Sequence, residues 1–121
     1  MKSGYLWIQF ELESTSLVER VHIVNAKFAE VSGQNAHQRT SDIQIRVGKS
    51  RYDPLSSVEQ QKIEIERNPE CNYYPNVVGN GNRVELTCNK RLFGKYVSIQ
   101  ILDRKVQLMN IAEVVIYGKS K

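Results

Sequence analysis

Two cysteines are the residues of this chain whose type and spacing most directly suggest chemistry. Cys71 follows the turn-like stretch 68–70, and Cys88 ends a strand-like run over 83–87. A proline and two glycines lie between them, which is enough to fold the segment back on itself. A disulfide bond there would contribute about 3 kcal/mol in the chain-entropy model and would indicate an oxidising compartment. The alternative is a pair of buried free thiols in a cytosolic protein, and we favour the bond.

Catalytic chemistry finds little support in the sequence. The two histidines, His22 and His37, lie in different local settings, and no cysteine–histidine or serine–histidine–aspartate set can be proposed from the spacing. The sequence contains no glycine-rich phosphate loop. Pairs of carboxylates can be picked from any chain with 13 acidic residues, so such pairs carry no information. We therefore predict that the protein is not an enzyme.

Length and charge limit the classes of partner. A chain of 121 residues predicts a single domain. The net charge of +4 is scattered along the chain, without the basic stripe or motif that is typical of nucleic-acid binding. No apolar segment approaches the ~20 residues of a membrane span, and the amino terminus lacks the apolar region of a signal peptide. We expect neither a nucleic-acid partner nor membrane insertion.

The pattern of apolar residues predicts about eight short strands with turn signals between them, and no convincing helix. The clearest strand is 96–101, where valine and isoleucine alternate with polar residues. Gly94 lies just before this strand, where a tight turn can use positive φ. The apolar run 114–117 is its expected neighbour. Many short strands of this kind are typical of a β-sandwich or jelly roll.

The remaining segments extend this prediction. Residues 5–12 and 18–25 predict two antiparallel strands joined by a polar turn at 13–16, and residues 42–47 predict a third strand. Alternation over 62–66 predicts a short exposed strand. Between the second and third strands, residues 26–41 show no sustained period, which indicates a long loop. Loops of this length in a compact domain are usually functional or disordered.

Several short motifs occur in the order in which a known family carries them. They are Trp7-x-Gln-Phe-Glu-Leu, Asn68-Pro69-Glu70-Cys71, Gly94-Lys95-Tyr96-Val97-Ser98 and Glu113-Val114-x-Ile116-Tyr117-Gly118. Together with the strands around them, they resemble the F-type lectin (fucolectin) domain over nearly the whole chain. The resemblance implies an all-β, antiparallel β-sandwich or jelly roll of the discoidin-like, galactose-binding-domain-like kind. It also implies that residues 1–121 form one such domain without its first strand and loops, beginning about thirty residues inside the usual domain.

The resemblance also directs attention to the ligand-binding loop. F-type lectins bind fucose through a loop histidine, an Arg-x-Asp pair and a further basic residue. In this chain Ala26 and Phe28 stand where the family has the arginine and the aspartate, and Arg39 matches the later basic residue. Arg39 could donate a bidentate pair of hydrogen bonds to vicinal sugar hydroxyls. The alternative is a solvated loop arginine, or one that pairs with Asp42.

Three further residues complete the candidate ligand site. His37 lies two residues from Arg39 and could substitute for the family histidine; the alternative is an exposed loop histidine. Phe28 and Tyr52 could each offer an aromatic face to a sugar ring or to a protein partner. The alternative for both is that the ring packs under its own loop.

Calcium enters as an expectation from the same resemblance. Glu113 matches a residue that closes the calcium site of the family, although Ala112 replaces the neighbouring cysteine. A carboxylate oxygen needs further oxygen ligands at about 2.3–2.6 Å to hold calcium. The sequence supplies no evident loop for them, so a structural calcium ion is the only cofactor that we consider.

The function that these observations favour is extracellular recognition of a glycan or glycoprotein through loops at one end of a sandwich. Such modules bind weakly one at a time, so we expect repeats within a larger protein or a homo-oligomer. The alternative is a protein–protein interaction or adhesion module of the same fold that no longer binds sugar. A secreted protein or a cell-surface ectodomain fits both readings, and fold analogy alone does not decide between them.

Overall fold

Five antiparallel strands and one short helix make up the computed structural model, which describes residues 6–26, 40–79, 81–102 and 111–120. The elements are β1 (Leu6–Asn25), β2 (Thr40–Gly48), α1 (Val58–Glu66), β3 (Glu70–Val78), β4 (Arg83–Ile101) and β5 (Ile111–Ser120). The strands form one sheet in the order β3-β2-β4-β1-β5, and each neighbouring pair is antiparallel. The predicted all-β, antiparallel class is confirmed.

The two long strands, β1 and β4, each run through both halves of the sheet. In the first half, residues 6–11 of β1 pair with residues 96–101 of β4, and β2 lies on the other side of β4. In the second half, residues 16–24 of β1 pair with residues 83–94 of β4, and β5 lies on the other side of β1. The pairing shifts register between the halves, which allows the sheet to bend.

One hydrophobic cluster joins the two halves. Its buried members include side chains from both, which are Val18, Val21, Ile23, Ile43, Ile45, Val47, Val84, Leu86, Leu92, Val97, Ile99 and Ile101. Most of them are β-branched, and such residues pack well on a pleated surface. Because residues of both halves bury their apolar sides in the same core, the arrangement is consistent with a β-sandwich.

The disulfide bond between Cys71 and Cys88 is confirmed, and it closes the sandwich on the side away from β1. Cys71 lies in β3, at the edge of the first half, and Cys88 lies in β4 within the second half. The Asn72 side chain reinforces the same junction by donating from Nδ2 to the carbonyl oxygen of Thr87 over 2.8 Å. The first and second halves are therefore linked covalently as well as through their core.

A glycine pair allows β2 and β4 to approach closely where the sheet bends. A Cβ atom added to Gly94 would lie 2.6 Å from both the amide nitrogen and the carbonyl oxygen of Gly48. Among the described residues, Gly81 and Asp42 adopt positive φ, and Gly94 does not. The predicted role of Gly94 in a tight turn with positive φ is therefore wrong, because this glycine is needed for space inside a strand.

Two predicted boundaries and one predicted pairing are also wrong. The polar segment 13–16 is not a turn between two strands but an irregularity inside β1, and β4 likewise continues through residues 88–94. Residues 12–15 and 88–91 have no partner in the ladders of β1, and the paired residues before and after them carry the extended chain across each gap. The run 114–117 belongs to β5, which pairs with β1 and not with the strand at 96–101. Five long strands thus replace the expected eight short ones in the described part of the chain.

A helix occupies the segment that we predicted to be an exposed strand. Helix α1 begins after Ser57, whose side-chain hydroxyl accepts a hydrogen bond from the amide of Gln60 over 3.1 Å. Ile65 is the buried residue of this helix. The Ser-x-x-Gln pattern at its start is a capping-box signal, and it outweighs the alternation of Ile63 and Ile65. Within the described ranges, no helix has the length and apolar character needed to cross a bilayer.

Candidate functional site

The ends of several strands meet at one end of the sandwich. Strand β1 ends there at Asn25, β2 begins there at Thr40, and β3 ends there at Val78. Strand β5 begins beside the same position, because Ile111 pairs with Asn25. We call this region the loop end. The segment 27–39, which follows β1 and leads into β2, leaves and re-enters the sheet at the loop end.

Asn25 holds the loop end together. Its side chain is 2% exposed and donates from Nδ2 to the carbonyl oxygens of Val78 and Gly79, each over 3.1 Å. Its Oδ1 accepts a hydrogen bond from the Thr40 hydroxyl over 2.6 Å. The backbone amide of Asn25 donates to the carbonyl oxygen of Asn82 over 2.8 Å. One buried side chain therefore joins the ends of β1 and β3 to the beginning of β2.

We expect that replacing Asn25 with alanine lowers the free energy of unfolding by about 2–3 kcal/mol, because it leaves buried partners of three hydrogen bonds without a donor or acceptor. Urea unfolding of the variant measures this loss. Asn76→Ala is the matched control, since Asn76 is an exposed asparagine of β3. Equal stability of the two variants would show that Asn25 does not anchor the loop end.

Asp42 and Tyr73 form a polar pair beside the loop end. Asp42 adopts φ of 51°, a left-handed conformation that non-glycine residues seldom use, at a register shift in the pairing of β2 with β3. The Tyr73 hydroxyl donates to Asp42 Oδ1 over 2.9 Å. Strain of this kind often accompanies functional sites. Our reading of the sequence did not single out Tyr73, and considered Asp42 only as a partner for Arg39.

Most of the predicted ligand-binding residues lie outside the described residues. Phe28, His37 and Arg39 belong to the segment 27–39, so their geometry gives no test of the prediction. Arg39 directly precedes Thr40, and Thr40 is fixed to the anchor Asn25. Their roles in ligand binding stay predictions.

Tyr52 lies at the other end of β2, in the loop that follows Gly48. It is 8% exposed, which agrees with the alternative that the ring packs under its own loop. Its backbone is clamped by Gln9, whose side chain accepts from the Tyr52 amide over 3.0 Å and donates to the Tyr52 carbonyl over 3.3 Å. Burial raises the pKa of the Tyr52 phenol. Ligand contact by Tyr52 stays a prediction, although the ring is not on the open surface.

Glu113, the predicted calcium ligand, is an exposed residue near the start of β5. It lies on the rim of an otherwise apolar groove of about 480 Å³ between β1 and β5, which Leu6, Trp7, Ile8, Phe10, Ile111, Ala112 and Val114 also line. Among the described residues, no group of three acidic, histidine or cysteine side chains could hold a metal ion. Calcium binding therefore stays a prediction that no described cluster supports.

The comparison with solved structures bears on the fold. The crystal structure of an F-lectin (fucolectin) from striped bass (Morone saxatilis) serum superposes with a TM-score of 0.58, covering 93% of this chain at 23% sequence identity. The fold is fucolectin-like. This chain spans 32% of that longer chain. No protein-family model and no curated protein sequence matches this chain.

Proposed function

We propose that this chain is a carbohydrate-binding module that recognises fucose-like glycans or glycoproteins outside the cell, through the loop end. The observation that carries the proposal is the fucolectin-like fold. The disulfide bond is compatible with an extracellular domain, since such bonds persist in oxidising compartments. In this proposal Arg39 is the anchor of the sugar, with His37 and Phe28 as its neighbours.

The rigid base of the loop end supports this role. A sugar gains affinity when the groups that bind it are ordered beforehand, because less conformational entropy is lost on binding. Asn25 and Thr40 fix the point at which the chain enters β2, one residue after Arg39. The Tyr73–Asp42 hydrogen bond orders the next polar side chains along the same edge. The carboxylate of Asp42 and the phenol of Tyr73 can exchange hydrogen bonds with sugar hydroxyls at this edge.

Arg39→Ala is expected to abolish detectable binding on an array of fucosylated glycans while leaving the fold intact, because the bidentate donor is lost. The array is read with the disulfide-bonded protein, with and without calcium. Arg51→Ala is the matched control, since Arg51 is exposed in the loop after β2, at the opposite end of that strand. Binding that survives Arg39→Ala would contradict the assigned anchor, and a blank array from folded wild type would contradict glycan recognition.

A protein-interaction module of the same fold is the second candidate function. Exposed apolar side chains shortly after Tyr52 in the chain favour it. Leu55 is 93% exposed, and Val58 and Ile63 of α1 are also exposed. Exposed apolar side chains in one short segment are compatible with a protein contact, which a contiguous apolar patch often marks. A blank glycan array, together with a protein partner whose binding Leu55→Ser weakens, would establish this function.

A further inference from the structure

The second half of the sheet presents a charged and aromatic face to solvent. Val21 and Ile23 of β1 point into the core, so the residues alternating with them, Arg20 and His22, point outward. Arg20 lies at the centre of three strands, because it pairs with Tyr117 of β5 on one side and with Thr87 of β4 on the other. We call this surface the Arg20 face.

The guanidinium of Arg20 is positioned by two aromatic neighbours. Its Cζ lies 4.3 Å from the centroid of the Tyr117 ring, and its Nε donates to Nε2 of His22 over 3.3 Å. The His22 ring in turn packs against Tyr117 with the centroids 4.5 Å apart. In the described parts of the chain, no carboxylate forms an ion pair with Arg20. The two terminal nitrogens therefore remain available to a planar anion.

A second cation–aromatic pair lies one row along the same face. Phe93 of β4 is 38% exposed and pairs with Leu17 of β1, and Cζ of Arg91 lies 5.6 Å from its ring centroid. Lys119 of β5 pairs with Leu17 from the other side. Lys119 is thus a diagonal neighbour of Arg20, across the register shift between Val18 and Arg20.

Acidic residues do not cancel this charge. Glu85, one row away, already pairs with Arg83 at 3.1 Å and contacts His22 at 3.7 Å. Glu19 lies in the irregular part of β1 and lines a hollow of about 360 Å³ together with Lys90 and Arg91. Among the described residues around Arg20, Lys90, Arg91 and Lys119 therefore outnumber Glu19, since Glu85 is already paired with Arg83, and the local excess is positive.

We propose that the Arg20 face binds an acidic glycan, one that carries sulfate or carboxylate groups, at a site separate from the loop end. The planar guanidinium matches the planar edge of a carboxylate or two oxygens of a sulfate through a bidentate pair of hydrogen bonds. Lys119 and Arg91 lie where a neighbouring charged group of the same polymer would reach. The choice of a glycan over other polyanions rests on the proposed function; the anion site itself rests on the contacts above.

Fluorescence anisotropy with a labelled, sulfated glycosaminoglycan oligosaccharide tests the site. Arg20→Gln is expected to weaken binding about tenfold, and Lys119→Gln about threefold. Arg20→Lys keeps the charge but loses the planar fork, so it should also bind clearly more weakly than wild type. Arg67→Gln is the matched control, because it removes the same charge from a residue that pairs with Glu64 at the end of α1. Its binding should stay within twofold of wild type.

The other outcomes would overturn the proposal. Equal loss in Arg20→Gln and Arg67→Gln, or full affinity in Arg20→Lys, would show diffuse attraction without a site. Equal binding of an oligosaccharide that has been both desulfated and carboxyl-reduced would exclude an anion site. Binding of single-stranded DNA that is as tight, and as sensitive to Arg20, would overturn the glycan assignment. Because Arg39→Ala should leave this binding unchanged, failure at the loop end and failure at the Arg20 face are separable.

Discussion

Replacing both cysteines with alanine is expected to lower the free energy of unfolding by about 3 kcal/mol. The bond closes a loop with a sequence separation of 17 and joins β3 in the first half of the sheet to β4 in the second half. Without it, the unfolded chain gains conformational entropy. Among the described residues, side-chain contacts such as the Asn72 bond to Thr87 then attach β3 to the second half. Urea unfolding of the variant Cys71→Ala/Cys88→Ala measures the loss.

The slope of the denaturant curve separates two explanations of this loss. A chain without the cross-link exposes more surface when it unfolds, so the m-value should rise as the midpoint falls. Wild type measured in reductant should reproduce the midpoint of the double variant. An unchanged midpoint would mean that the core alone keeps the two halves together, and the disulfide bond would then have no stabilising role.

Gly94→Ala is expected to cost about 3 kcal/mol, because the added methyl group would overlap a backbone that cannot easily move. The new Cβ would lie 2.6–2.7 Å from the amide nitrogen, Cα and carbonyl oxygen of Gly48. Gly48 is itself confined, since a Cβ there would overlap the Asn68 side chain. That side chain exchanges hydrogen bonds of 2.9 Å with both backbone groups of Ser50. Thermal unfolding of the variant should show a clear fall in Tm.

Gly79→Ala is the matched control for this prediction. A Cβ on Gly79 would lie 2.6 Å from Nδ2 of Asn82, the free-moving end of a side chain that can turn away. We expect its stability to stay within about 1 kcal/mol of wild type, since the smaller entropy of the unfolded alanine chain offsets part of the crowding. If both variants lost the same stability, the cost would come from glycine replacement in general and not from the contact between β2 and β4.

The sequence predicted correctly those features whose signal lies within a short stretch of the chain. The run 42–47 was placed correctly and extends by only a few residues to Thr40–Gly48, because every second side chain of β2 enters the core. The pairing of Cys71 with Cys88 was favoured from the chain breakers between the two cysteines, and it is confirmed. The fucolectin-like fold was expected from short motifs spread along the chain, and it is found.

Features that depend on distant partners were not predictable in the same way. The polar segment 13–16 looks like a turn in the sequence. In the structure, β1 is extended before this segment, where it pairs with β4, and after it, where it pairs with both β4 and β5. The neighbour of β5 could not be read from its own residues, since any apolar strand fits the same pattern. Helix α1 was different, because the Ser57–Gln60 capping pattern is present in the sequence, but our prediction followed the short alternation after it.

The candidate site was foreseen only in its general place. A long loop after β1 was expected to carry the ligand, and the structure brings its ends to the loop end. The anchoring role of Asn25 and the strained conformation of Asp42 depend on contacts from β2 and β3, so neither has a signal in the sequence around it. Likewise, the Arg20 face gathers residues from β1, β4 and β5 that are far apart in the chain.

The order β3-β2-β4-β1-β5 determines when the protein can fold as it is synthesised. Strand β1 is complete at Asn25, but its two partners begin only at Arg83 and Ile111. At ribosomal speed this leaves the apolar side of β1 without its native cover for a time on the order of seconds. Pairings between such distant segments also make folding slow. We expect the nascent chain to depend on chaperones until β4 and β5 have emerged, and to be most prone to aggregation just before then.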